Sequence, residues 1–189
     1  TNVFRIAKLS AAQQFVGINI SYVQVRKEDI HFGYQRWKAR KKMTQFETRN
    51  LTMMMDLYEM TMANGYFNDQ DKDTRVAFDV FYRKNPDGGG FSIFAGLEQV
   101  IEYLENMHFE DEDVEYFRSL NLFDEDFLAY LKNFRFNGDV YAFEEGTIMY
   151  PNEPVVTVVA PLIEAQLVET TILAQIKHQS LIATKARRI

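Results

Sequence analysis

The sequence predicts a mixed fold of the α/β class, and three observations carry that expectation. Segments with apolar residues at helical spacing interleave with short β-branched runs, which places helices and strands in one chain. Breakers such as Asn85-Pro86-Asp87-Gly88-Gly89-Gly90, Gly146 and Pro151-Asn152 fall between those segments. At 189 residues and 47% apolar, the chain can bury a substantial core. No apolar run reaches the roughly 18 residues of a membrane span, and no membrane partner is expected.

Charge divides the chain. Residues 1–42 carry nine basic and two acidic side chains, whereas residues 43–189 carry twelve and twenty-five. The overall charge of -6 argues against nucleic-acid binding by the whole. Within the basic part, residues 18–25 alternate like a short strand, and Arg36-Trp37-Lys38-Ala39-Arg40-Lys41-Lys42 interleaves an aromatic with cations. This cluster reads as a solvated tail or as a tether to nucleic acid or an anionic membrane. A third reading makes residues 1–42 non-native upstream sequence: the chain opens on Thr1, and Met43 follows Lys41-Lys42. The expected division is therefore 1–42 and 43–189. With no cysteine, disulfides and thiolate chemistry are excluded, and a reducing, cytoplasmic location is expected.

Element by element, residues 51, 54, 55, 58 and 62 form a helical stripe, with Asn50 as its N-cap and Gly65 as its stop. Such a methionine-rich stripe reads as core packing. Residues 76–83 read as a strand ending in the glycine loop. Residues 95–107 predict a helix with Leu97, Val100, Ile101 and Leu104 inward. Glu110-Asp111-Glu112-Asp113 and Asp124-Glu125-Asp126 each open a further helix, where first-turn acids suit the dipole. Strands are expected over 139–143, 147–150 and 154–159. Pro161 then opens a long helix, nearly apolar all round from Leu162 to Ile176, buried or in a subunit interface. That helix meets no stop signal before Ile189, so the chain is expected to be truncated. His31, His108 and His178 lack metal-ligand spacing, and no nucleophile elbow or dinucleotide fingerprint occurs. No metal ligands are expected, and the residues alone leave the function open.

Three stretches, taken together, resemble one family. Met55-Asp56-Leu57-Tyr58-Glu59-Met60-Thr61-Met62-Ala63 is similar to T-D-L-Y-E-L-T-M-A. Phe81-Tyr82-Arg83-Lys84-Asn85-Pro86-Asp87-Gly88-Gly89-Gly90-Phe91, with Ala95-Gly96-Leu97, resembles F-F-R-x-x-P-x-G-G-x-(Y/F) followed by A-G-L. Glu145-Gly146-Thr147, Glu153-Pro154, Pro161-Leu162, Gln166-Leu167-Val168-Glu169-Thr170 and Ala183-Thr184-Lys185-Ala186 resemble E-G-T, E-P, G-P-L, Q-L-V-E-T and A-T-K-A, with Ala160 replacing the glycine. In order, and spanning residues 52–189, they resemble nicotinate phosphoribosyltransferase. Leu57 and Glu59 favour the nicotinate branch over relatives using nicotinamide, which carry T-D-S-Y-K. Met55 departs from the family threonine, and Lys84, Asn85 and Asp87 occupy variable loop positions.

The resemblance implies the α+β N-terminal domain of a type II phosphoribosyltransferase, with its barrel-like second domain largely beyond this chain. It implies formation of nicotinate mononucleotide from nicotinate and phosphoribosyl pyrophosphate, with coupled ATP hydrolysis, Mg²⁺ and a homodimer sharing its active sites. Tyr58 would reach across the dimer to stack on nicotinate, and Asp56 would orient the pocket or serve as an early-helix acid. Arg83 would meet a phosphate of the partner subunit or form a surface salt bridge. Thr184, Lys185 and Arg188 would lead towards the phosphoribosyl site or serve as capping and interface contacts. Glu145 and Glu169 would hold the fold. The base-stacking arginine motif and the phosphorylated histidine belong to the further portion, so the fragment is expected to be inactive alone. The alternative is a non-catalytic binding or dimerisation module that keeps the fold.

Overall fold

The computed structural model describes residues 50–69 and 74–189. The expected strand at 18–25, the cationic cluster at 36–42 and Met43 lie outside the described residues. The elements run α1 (Leu57–Asn68), β1 (Arg75–Val80), a 3-10 turn (Pro86–Gly88), β2 (Ser92–Ile93), α2 (Leu97–Asn106), α3 (Asp111–Ser119), α4 (Glu125–Lys132), β3 (Asp139–Ala142), β4 (Ile148–Met149), β5 (Val156–Pro161) and α5 (Leu162–Ala186). An antiparallel sheet has the order β1-β5-β3, and a second antiparallel pair joins β2 to β4.

Pairing sets Arg75 opposite Pro161 and Val80 opposite Val156, while Asp139 faces Val159 across the other edge of β5. Val140, Ala142, Val156, Val158 and Ala160 are buried in the core, with Ile163, Leu167, Val168, Ile172 and Ile176 of α5. A satellite of aromatic rings binds α3 and α4 to this core. Phe117 meets Phe109 and Phe123 edge-on, and Phe127, Phe67 and Tyr130 pack on one another. The fully buried Phe127 is its hub, the kind of side chain whose burial contributes most.

Two helix starts follow the acids as expected. Glu110 is the N-cap of α3 and forms a capping box with Asp113, and Asp124 precedes α4. In α2, Val100 and Leu104 are buried with Tyr103, while Leu97 packs partly against the core. The strands are shorter than expected or shifted. β1 stops at Val80, three residues before Arg83; β3 ends at Ala142, β4 has two residues, and β5 runs from Val156 to Pro161.

The first helix requires a correction. It begins at Leu57, six residues after the expected start, because Asp56 and Glu59 form a capping box there. The buried face carries Glu59, Met60 and Ala63, not the methionine-rich stripe: Met54, Tyr58 and Met62 are exposed and only Leu51 and Met55 pack partly against the core. Asn50 does not cap the helix. Its Oδ1 accepts the Thr52 N–H at 3.0 Å and its Nδ2 donates to the His108 carbonyl at 3.1 Å, tying the entry segment to the loop after α2. Gly65 does not stop the helix, which continues to Asn68; Asn64 and Asn68 both donate to Asp124 Oδ2.

Along α5 the buried face changes character. Beyond Ile176, the buried residues are Ser180 and Thr184. Ser180 Oγ accepts the Ala95 N–H at 3.0 Å, and Thr184 Oγ1 accepts the Ile93 N–H at 2.9 Å. Their four-residue spacing puts both hydroxyls on one helix face. They seat the last turns of α5 on β2 and the residues after it. Ala174, expected within the apolar face, is exposed, as are Leu173 and Ile182.

Candidate functional site

The candidate residues fall into two clusters on α5. In the first, the amino end of α1 rests on the middle of α5. Glu59 has no exposed surface, and its carboxylate accepts from three groups: the Thr170 N–H at 3.1 Å, the Thr170 hydroxyl at 2.7 Å and the Asp56 N–H at 3.2 Å. Burial pushes the Glu59 carboxyl above its ordinary value, against the pull of the Thr170 and Asp56 hydrogen bonds. One residue earlier, Tyr58 is 51% exposed. Around it Met53, Met54, Leu57 and Met62 also face outward, forming an apolar surface on and just before α1. A hydrogen bond with Thr170 works to lower the Tyr58 phenol; desolvation and the carboxylates of Glu59, Glu169 and Asp56 outweigh it and raise it.

Asp56 owes its position to the helix start, as the N-cap of α1. The Thr171 hydroxyl donates to the Met54 carbonyl at 2.5 Å and fixes the chain just before that cap. Tyr58 is therefore carried by a helix end anchored through a buried carboxylate, while its own ring remains available.

The second cluster lies at the carboxyl end of α5, where the glycine loop folds over it. Arg188 Nη2 donates to the Pro86 carbonyl at 3.3 Å. The guanidinium packs so closely on Gly89 that a Cβ there would lie 1.9 Å from Nη2, so position 89 admits only glycine without displacing Arg188. Asp87 Oδ2 stands 3.9 Å from Lys185 Nζ and 3.6 Å from Arg188 Nη1. Inside the loop, Asn85 Nδ2 donates to the Gly89 carbonyl at 3.0 Å, and Ser92 Oγ donates to Asn85 Oδ1 at 3.0 Å. Thr184 is buried, its hydroxyl engaged with Ile93 and the Ser180 carbonyl. Arg83 is exposed on the approach to this loop, and none of the ion pairs among the described residues includes it.

Fourteen residues of α5 separate Thr170 from Thr184, about 21 Å at the helical rise. One small ligand cannot touch Tyr58 and Lys185 of the same chain across that span. Among the described residues, no group of three or more histidines and carboxylates is placed to hold a metal ion. The acid nearest the cations, Asp87, faces Lys185 and Arg188 instead.

Glu145 holds the fold as expected. Its Oε1 accepts the N–H groups of Gly96 and Leu97 at 2.8 and 2.6 Å, capping α2 from 49 residues away where Gly96, at φ +109, has no side chain to do so. Glu169 accepts from Gln166 Nε2 at 3.0 Å. Glu59, Thr170, Ser180 and Asp87 are the residues that sequence reasoning passed over. For the first, the Asp56-x-x-Glu59 spacing was the available signal.

A family profile for the nicotinate phosphoribosyltransferase (NAPRTase) N-terminal domain matches residues 53–177. The chain is 47% identical over 137 residues to nicotinate phosphoribosyltransferase pncB2 of Mycobacterium tuberculosis, covering 72% of this chain and 29% of that protein. It is 43% identical over 144 residues to the Bacillus subtilis nicotinate phosphoribosyltransferase, covering 76% and 29%. The crystal structure of human nicotinic acid phosphoribosyltransferase superposes with a TM-score of 0.66 at 34% identity, over 71% of this chain and 27% of that one. The chain spans less than a third of the length of these relatives. It belongs to the nicotinate phosphoribosyltransferase family, of which it carries the N-terminal domain.

Proposed function

We propose that this chain is the N-terminal part of a cytoplasmic enzyme that makes nicotinate mononucleotide from nicotinate and phosphoribosyl pyrophosphate, with coupled ATP hydrolysis, and that it works as a homodimer with shared sites. The pyridine nitrogen forms a bond to ribose C1 as the bond from C1 to the pyrophosphate oxygen breaks, and pyrophosphate leaves. Positive charge develops on the ribose and negative charge on the leaving group. Positioned cations and a flat, water-poor slot for the ring are therefore what the reaction asks of the protein.

The single observation that supports this reading most is the separation of the two clusters. Tyr58 offers an aromatic face on an exposed apolar surface, and Lys185 and Arg188 gather cations about 21 Å along the same helix. A site needing both is completed by pairing two chains in a two-fold arrangement, so that Tyr58 of one meets the cations of the other. In that role Tyr58 stacks on the pyridine ring, as aromatic faces do with flat heterocycles. Lys185, Arg188 and Arg83 attract the phosphates of phosphoribosyl pyrophosphate. Thr184 and Asp56 position their neighbours, through the Ile93 N–H and the α1 cap.

The test is turnover by the whole protein. Pyrophosphate release is expected with nicotinate and phosphoribosyl pyrophosphate together, raised by ATP, and with nicotinamide only weakly. A folded whole protein that binds neither substrate and releases no pyrophosphate would favour the non-catalytic dimerisation module instead.

A further inference from the structure

We propose that the Asp87 carboxylate is a built-in stand-in for a substrate phosphate, resting on the Lys185–Arg188 cation pair until an incoming phosphate displaces it. This rests on the reading above that Lys185 and Arg188 face phosphoribosyl pyrophosphate. Asp87 sits at φ +54, a left-handed conformation that few residues other than glycine tolerate, between Pro86 and Gly88. That backbone aims the carboxylate at the end of α5. Its approach to both cations, at 3.6 and 3.9 Å, is longer than a hydrogen bond, so charge is held close without a directional lock.

Of the two cations, Arg188 has a seat that does not depend on Asp87. Arg188 is seated by the Pro86 carbonyl and the bare face of Gly89. The loop is braced by Asn85 to Gly89 and Ser92 to Asn85. Rotation of the Asp87 side chain therefore releases Arg188 in a frame that stays put, and with it the exposed Lys185 ammonium. A phosphate brings more negative charge and three acceptor oxygens against one carboxylate, and it wins the exchange. Asp87 is thus a positioning residue that sets how strongly the empty site attracts phosphate.

Titration calorimetry with inorganic pyrophosphate on the whole protein tests this, using Asp87→Asn, Lys185→Ala and the double variant. Asparagine shares aspartate's tolerance of left-handed backbone, so Asp87→Asn removes charge and keeps the loop. We expect Asp87→Asn to bind pyrophosphate about fivefold tighter, the scale of loosely held exposed ion pairs. Lys185→Ala should bind more weakly, and the double variant should lose the gain. If Lys185→Ala weakens binding but Asp87→Asn leaves it unchanged or weaker, the stand-in is overturned and the phosphate reading survives. Should Lys185→Ala bind as tightly as the unaltered protein, or none bind at all, the phosphate reading fails and takes the stand-in with it.

Discussion

Replacing Tyr58 by alanine in the whole protein is expected to raise the KM for nicotinate about ten- to a hundredfold, the range carried by one aromatic stacking partner. The KM for phosphoribosyl pyrophosphate should change little, because the cations lie about 21 Å away along α5. Tyr58→Phe keeps the ring and should retain most of the nicotinate affinity. Stability is expected to be nearly unchanged by either substitution, since half of the Tyr58 surface is already exposed in the single chain. Steady-state kinetics with each substrate varied in turn separates these outcomes. Unchanged nicotinate kinetics would remove Tyr58 from the site.

Glu59→Ala should destabilise the domain by about 3 kcal/mol, a value set by losing hydrogen bonds to a buried charged acceptor and stranding their donors. The Thr170 N–H and hydroxyl and the Asp56 N–H all lose their carboxylate, and the α1 cap loosens with them. Chemical denaturation at fixed pH measures the loss. Glu59→Gln should cost less, because the amide oxygen still accepts from Thr170. The pH dependence has a definite sign. Burial raises the folded-state carboxyl above its unfolded value, so the folded chain retains a proton that the unfolded chain has released. The associated stability is complete below the ordinary glutamate range and fades as pH rises through the raised value. In Glu59→Gln that decline should vanish from the window.

Much of the helical architecture was legible because its signals are local. Acidic first turns at Glu110 and Asp124 mark α3 and α4, and inward Val100 and Leu104 mark α2. The first helix misled because apolar side chains at helical spacing usually mean burial, whereas here Met54, Tyr58 and Met62 look outward. The buried face carries a glutamate whose partner, Thr170, lies 111 residues away. No periodicity reports such a contact. The same holds for Glu145 capping α2 and for Ser180 and Thr184 seating α5 on residues 93–95. For the site, the resemblance supplied Tyr58, Asp56, Arg83, Thr184, Lys185 and Arg188, but their division into two clusters depends on how α5 threads between α1 and the glycine loop. Asp87 carried no local signal, since an aspartate in a glycine-rich loop is ordinary turn chemistry.

Whether one site draws on two chains is measured most directly by subunit complementation. Tyr58→Ala and Arg188→Ala forms of the whole protein, each nearly inactive under limiting substrate, are mixed and allowed to exchange subunits. In a mixed dimer one site carries both lesions and the other carries neither, so activity is expected to recover to about a quarter of the unaltered protein. A fully exchanged mixture no more active than its two parents would contradict the shared site.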